Sequence, residues 1–479
     1  MYSKESIKSL LLFSLLISSL VLSSQIFLRI ESQSHSINND YVVWKENDNT
    51  IENYFSPQSY FINFGGSLHT VEHNYALRKD IRAGLQRIFN IPLSDDSFQK
   101  IDYPQWEEAI KERGIRMGMP YDMPFHQFLT LIEGESQNFQ SNYKIKEMIV
   151  LTSGSVFFEM TDGFYTLKDL EDNFRSFSTV IDTLELSFLE YRRVEDVYSL
   201  KKQLAPEAET FRYNNHLIPI VKITDIPVIE VVDEVDIKEV EDSRLLSYAN
   251  RILGKSFIRK VVDHNGSIIY MTGYGEKALK IDNNGFFEYT EKYNENTEKL
   301  TFEDGLNKSI NGISTVNDPP TNIFLSDYYS YEKNGRQIDR YEFDYSYGGY
   351  DIVLDAKGNG AFVVEFNGSQ LVYIKRQYKS FVNSIGVSNI WESALSFNQI
   401  INENYDAIIN DYLADEEITD FLSRDTYIYE ILQNIEGLEL KYYLVSNNNY
   451  DNLIPVWQLK IGERIYYINI YDGEILSKL

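Results

Sequence analysis

Ile7 to Leu28 reads IKSLLLFSLLISSLVLSSQIFL, an apolar run whose one charge is Lys8, near its start. At about 1.5 Å of rise per residue a helix of this length reaches roughly 33 Å, enough to cross the hydrocarbon core of a bilayer. A helix apolar on every side has no place on the surface of a globular domain. The run therefore divides the chain into an anchor and a separately folded remainder. Lys4 before it and Lys8 at its start carry the positive charge and acidic residues follow, so the positive-inside rule places the N-terminus in the cytoplasm and everything after Glu31 outside, as a single-pass type II protein. The competing reading is a cleaved signal peptide, with Leu10 to Leu22 as its apolar region and Val21-Leu22-Ser23 before the cut. The hydrophobic pattern continues through Ile26, Phe27 and Leu28, past what such a peptide needs.

With 479 residues the chain is too long for one ordinary core, which predicts two to four domains. Hydrophobic residues make up 43% and there are only 11 Pro and 25 Gly, so the remainder is folded rather than disordered or collagen-like. The 36 Tyr and 28 Phe suit antiparallel sheets, where aromatic rings cover a half-buried pleated face. A net charge of −27 argues against nucleic acid, teichoic polymers and anionic lipid as partners and leaves protein, or a small site. The absence of Cys excludes disulfides, thiolate metal sites, Cys nucleophiles and a lipidated N-terminal Cys.

Six segments are expected. Residues 1–30 hold the cytoplasmic start and the anchor, and the polar stretch 31–58 is a juxtamembrane tether. An α+β domain follows over 59–215, with a strand at Tyr60 to Phe64 closing in Gly65-Gly66 and a helix from Asn74 carrying Leu77, Ile81, Leu85, Ile88 and Phe89. Ile115 to Met119 predicts another strand, and Lys146 to Leu151 pairs with Val156 to Met160 through Ser153-Gly154. Leu170 to Phe188 is a further helical candidate. Leu217 to Asp236 contains Pro219 and Pro227, which argue for an extended, edge-like connection rather than a central strand. Residues 216–298, 299–385 and 386–479 then repeat one pattern, a helix followed by a meander of short strands. The helices are expected at Glu241 to Leu253, from Phe302, and from Trp391-Glu392-Ser393-Ala394-Leu395. The fold class is thus α+β: an N-terminal transmembrane helix and a multidomain ectodomain of antiparallel sheets, each packed by helices.

Several stretches, in order, resemble the YycH family. Ser267 to Thr290, SIIYMTGYGEKALKIDNNGFFEYT, is similar to its central-domain signature, and Phe61 to Val71, FINFGGSLHTV, to its first strand and turn. Val372 to Phe381, VYIKRQYKSF, resembles the strand before its last domain. The close, from Pro455-Val456-Trp457 through Tyr466 to Ile475, resembles the terminal hairpin shared with YycI and PepSY-type modules. The resemblance implies PepSY-like helix-plus-meander units and a non-enzymatic role without cofactors. It implies contact with a membrane sensor histidine kinase, YycG (WalK), of the cell-wall two-component system of Gram-positive bacteria, and with a YycI-like sister. The chain departs from the family at Gly348-Gly349-Tyr350-Asp351, where a Gly-Tyr-Pro-type turn is frequent, and in its long tether.

Among catalytic patterns the sharpest is His69-Thr70-Val71-Glu72-His73, the H-x-x-E-H of inverted zinc metallopeptidases. That chemistry needs both imidazoles on one helical face, a third ligand from elsewhere, and Glu72 as base for a zinc-bound water. Here the pattern falls between a Gly-Gly turn and the expected helix start, a poor place for it. A secreted PepSY-like protease inhibitor is the other alternative and requires cleavage of the anchor. Glu230 to Glu241 and Asp415-Glu416-Glu417 lack the alternating spacing of a calcium loop and read as solvated faces. Within the anchor, Ser14, Ser18 and Ser19, then Ser23 and Ser24, recur at three-to-five spacing and would permit close approach of a partner helix.

Overall fold

The computed structural model describes, apart from short interruptions, residues 54–132, 143–167, 178–182, 192–196, 217–219, 226–233, 242–382, 394–415 and 427–479. The expected anchor, with Ser14, Ser18 and Ser19, lies outside them, as does most of the helical candidate Leu170 to Phe188. Among the described residues no helix is long and apolar enough to cross a membrane. The fold is mixed α/β, dominated by antiparallel sheets with few helices.

The first sheet has nine strands. In chain order its elements are β1 (Ser59–Asn63), β2 (Leu68–Thr70), α1 (Tyr75–Phe89), β3 (Phe98–Ile101), α2 (Tyr103–Lys111), β4 (Gly114–Pro124), α3 (Phe125–Leu131), β5 (Lys144–Leu151), β6 (Val156–Met160), β7 (Gly163–Leu167), β8 (Arg192–Asp196) and β9 (Leu217–Pro219). The strand order is β3-β7-β6-β5-β4-β1-β2-β8-β9. The three-to-four spacing read in the sequence puts Ile81, Leu85, Ile88 and Phe89 of α1 in the core, where Phe89 meets Phe125 and Phe128 edge-on. The short helix α2 carries no such long pattern, and sequence reading passes over it. Asp102 starts it as a reciprocal cap with Gln105, and Trp106 and Ala109 bury against Ile149 and Leu151 on the opposite face of the sheet.

The second sheet has fifteen strands. It is built from β10 (Ile229–Asp233), α4 (Asp242–Leu253), β11 (Arg259–Val262), β12 (Ile268–Thr272), β13 (Lys277–Ile281), β14 (Phe286–Glu291), α5 (Phe302–Ser314), β15 (Ile323–Lys333), β16 (Arg336–Tyr347), β17 (Tyr350–Val353), β18 (Phe362–Asn367), β19 (Gln370–Gln377), β20 (Lys379–Val382), α6 (Phe397–Glu403), α7 (Tyr405–Asp415), β21 (Ile435–Ser446), β22 (Asp451–Ile461), β23 (Arg464–Asn469) and β24 (Ile475–Lys478). Three times a helical segment precedes four strands paired antiparallel in sequence: β11 to β14, then β15, β16, β18 and β19, then β21 to β24.

The first two of these units join through their last strands. β14 pairs antiparallel with β19, so the order runs β11-β12-β13-β14-β19-β18-β16-β15. One unit is followed by the other in reverse, the arrangement that a two-fold axis perpendicular to the sheet generates. Both helices lie on the same face. Tyr248 of α4 meets Phe287 edge-on, and Ile252 shares a narrow cleft with Gly312 and Ile313 of α5, floored by Leu279, Phe287 and Ile374. Thr301 caps α5 at its start, accepting from the Asp304 amide and donating to the Asp304 carboxylate. At its end the buried Arg376 donates to the carbonyl of Ile313, a cation at the negative pole of the helix.

β10 departs from expectation. It is flanked by β22 and β20 and is an interior strand, not an edge connection. Pro227 precedes the strand and removes no ladder hydrogen bond, so the proline argument did not apply to it. Tyr442 and Tyr471 fix the approach to it, donating to the carbonyls of Pro227 and Ile226. The third helical segment also starts later than expected. Ala394 and Leu395 are not helical, and α6 opens at Phe397 behind a reciprocal Ser396–Gln399 cap.

Candidate functional site

With α4 and α5 on one face of the two-fold sheet, alternation sends every second residue to the other. In β16, Tyr341, Phe343 and Tyr345 face the helices, and Arg336, Arg340 and Glu342 face away. Register then assembles the opposite face: Arg340 stands across from Tyr329 on β15 and Glu365 on β18, and Glu365 across from Tyr373 on β19.

These groups form one network around Arg340. Its Nε donates to Glu342 Oε1 at 2.5 Å and its Nη1 to Glu365 Oε1 at 2.8 Å. Tyr329 donates to Glu342 at 3.2 Å and Tyr331 to Glu365 at 2.9 Å. One strand over, Tyr373 donates to Glu288 at 3.2 Å and Lys375 lies over the Phe286 ring. The side chains of Arg340, Glu342 and Glu365 are 19%, 10% and 5% exposed, whereas Tyr329 is 41% exposed. A screened charge cluster thus sits beneath an open aromatic rim.

Electrostatics follow from that burial. Desolvation alone would lower the Arg340 value, but the hydrogen bond and charge of Glu342 and the hydrogen bond to Glu365 outweigh it and hold the guanidinium above its usual range. Burial, then the bond to Glu365, pushes the Tyr331 phenol up to about 12, so it stays a donor at neutral pH. Asp327, beside the network on β15, is raised first by burial, with Glu342 adding to the effect. Tyr and Arg are the side chains enriched among the anchors of protein–protein contacts.

The pattern that carries this surface is visible in β16 itself, where Arg-x-Glu alternates with Tyr-x-Phe-x-Tyr. Sequence reading took the segment as a strand and assigned no role to its charged face. Of the metallopeptidase pattern, His69 lies in β2, paired with Ile62 on one side and Arg193 on the other. Glu72 and His73 fall outside the described residues, and α1 begins only at Tyr75. His69 is therefore on a strand, and the single helical face that the zinc chemistry needs does not include it. Among the described residues no group of three or more His, Cys, Asp or Glu is arranged to hold a metal ion.

No family model and no curated protein matches the chain. Among solved structures, an uncharacterized protein from Eubacterium rectale, determined at 1.45 Å, aligns with 52% of this chain and 85% of its own, at 9% identity and a TM-score of 0.32. That likeness is too low to bear on either fold or function.

Proposed function

We propose that this protein is a membrane-anchored, extracytoplasmic regulator that acts through protein contacts with a sensor histidine kinase of the YycG (WalK) type and a YycI-like sister. Supporting this reading is the succession of helix-plus-meander units where the resemblance to the YycH family implies them, with a Tyr-Arg-Glu surface on the face opposite α4 and α5. The units are PepSY-like in this reading, and the apolar run at Ile7 to Leu28 holds them at the membrane. Ser14, Ser18 and Ser19 form the face on which partner helices dock within the bilayer.

Affinity purification of the full-length protein from crosslinked native membranes tests the proposal, against a control in which residues 1–30 are replaced by a cleavable signal peptide. Recovery of a sensor kinase or a YycI-like sister with the native helix is the expected result. Leucine at Ser14 and Ser18 is expected to reduce that recovery severalfold while leaving the protein in the membrane. Recovery of neither partner in either sample would set the kinase reading aside.

A further inference from the structure

Glu147 and Glu159 stand directly opposite one another on β5 and β6. Carboxylates in that register repel. One guanidinium is close by, that of Arg116 on β4, and Glu147 engages it twice, from Nε at 2.9 Å and from Nη2 at 2.7 Å. Among the described residues the Glu159 side chain has neither a hydrogen bond nor an ion pair. The other charges that act on it are Lys146 of β5 and Asp122 of β4, while its neighbour on β7 is the uncharged Phe164.

The ladders are irregular at this same place. β4 pairs with β5 from Gly114 to Gly118 and again at Met123, so that residues 119–122 stand opposite Lys146 alone. β5 slips against β6 between Ile145 and Glu147. Bulges of this kind re-aim side chains. Here the bulge ends in Asp122, which acts on Glu159, and it also carries Tyr121 to the second sheet. Tyr121 packs against the shared core, and its phenol is raised by burial and then by Asp327 and Tyr328 of β15. β15 is also the strand against which β4 packs.

We propose that the Glu147–Glu159 pair and the 119–122 bulge form a proton-operated latch between the two sheets. With Glu159 protonated, the bulge is closed and Tyr121 is seated against β15. When Glu159 loses its proton, its charge meets those of Glu147 and Asp122, and the nearby Arg116 is engaged by Glu147. β5 and β6 are held on both sides by neighbouring strands, so the element that gives way is the bulge, where ladder bonds are missing. Tyr121 moves with it and the contact with β15 loosens.

The pH window follows from the direction of the shift. Burial first, then Glu147, raises Glu159 from 4.5 to about 7. A carboxyl raised in this way stabilises the closed state fully below 4.5, loses that contribution as pH rises, and gives none once pH has passed about 7. Openings that return Glu159 to its ordinary value are therefore favoured about tenfold more at pH 8 than at pH 6.

Hydrogen exchange of the full-length protein in detergent, corrected for the intrinsic pH dependence of exchange, tests the latch. The amides of Met119, Tyr121 and Asp122 and of residues 325–329 are expected to exchange about tenfold faster at pH 8 than at pH 6. In Glu159→Gln the rates at the two pH values should coincide. Acceleration of the same size in Glu159→Gln, or none in the wild type, overturns the proposal. Glu147→Gln supplies an independent check should the first variant not fold. It removes the opposing charge, the second cause of the shift after burial, so the acceleration should move to lower pH, and a transition unmoved from that of the wild type would refute the latch.

Discussion

Replacement of Arg340 by methionine is expected to destabilise the protein by about 3 kcal/mol, read as a lowered urea midpoint by circular dichroism. The size of the effect comes from what remains rather than from what is lost. Glu342 and Glu365 are 10% and 5% exposed in their side chains, and without the guanidinium their charges are buried with, among the described residues, only the Tyr329 and Tyr331 hydroxyls to answer them. An exposed ion pair would lose no more than about 1 kcal/mol. A loss in that smaller range would mean that the face is fully solvated and that the network is incidental.

The complementary variant separates stability from function. Converting Arg340 to Met together with Glu342 and Glu365 to Leu removes every charge of the network at once, and such wholesale replacement is often neutral or stabilising. The triple variant is expected to unfold within about 1 kcal/mol of the wild type. If the Tyr-Arg-Glu surface is where the partner docks, the same variant should no longer be recovered with the kinase or the sister protein. A stable triple variant that still binds would move the contact to another face. An apolar substitute at low cost would also mean that the charges serve recognition rather than the core.

Much of the architecture is legible in the sequence because period and punctuation agree. β16 alternates from Tyr341 to Tyr347, and it is joined to β15 by Asn334-Gly335, both at positive φ, the chemistry that a two-residue hairpin turn demands. α1, α4 and α5 announce themselves through apolar residues at three-to-four spacing. What escaped was decided by tertiary structure. Leu217 to Asp236 holds two prolines, but the second falls just before β10, and only the flanking strands β20 and β22 make that segment interior. The aromatic-Glu-x-small-Leu opening at Trp391 to Leu395 matches that of α5 in composition, yet the cap that starts α6 is Ser396. The Arg340 network was equally hidden, because its partners come from three strands and meet only once register is set.

Substitution of Gly305 by alanine is expected to cost about 2 kcal/mol even though alanine is the better helix former. Gly305 lies in the first turn of α5, over Tyr341 of the sheet, and a Cβ there would come within 2.7 Å of Tyr341 Cζ and closer still to its hydroxyl. The ring has no room to retreat. Its hydroxyl donates to the Phe302 carbonyl at 3.1 Å, and it is packed by Phe302, Tyr328 and Phe366. The helix must therefore lift, opening the layer between α5 and the sheet, and that loss exceeds the gain in propensity of about 1 kcal/mol. Shortening the ring removes the obstacle, so Gly305→Ala combined with Tyr341→Leu should cost at least about 1 kcal/mol less than the two single losses together. Strict additivity would show that the helix already rides clear of Tyr341. The glycine therefore sets how closely α5 approaches the sheet at Tyr341.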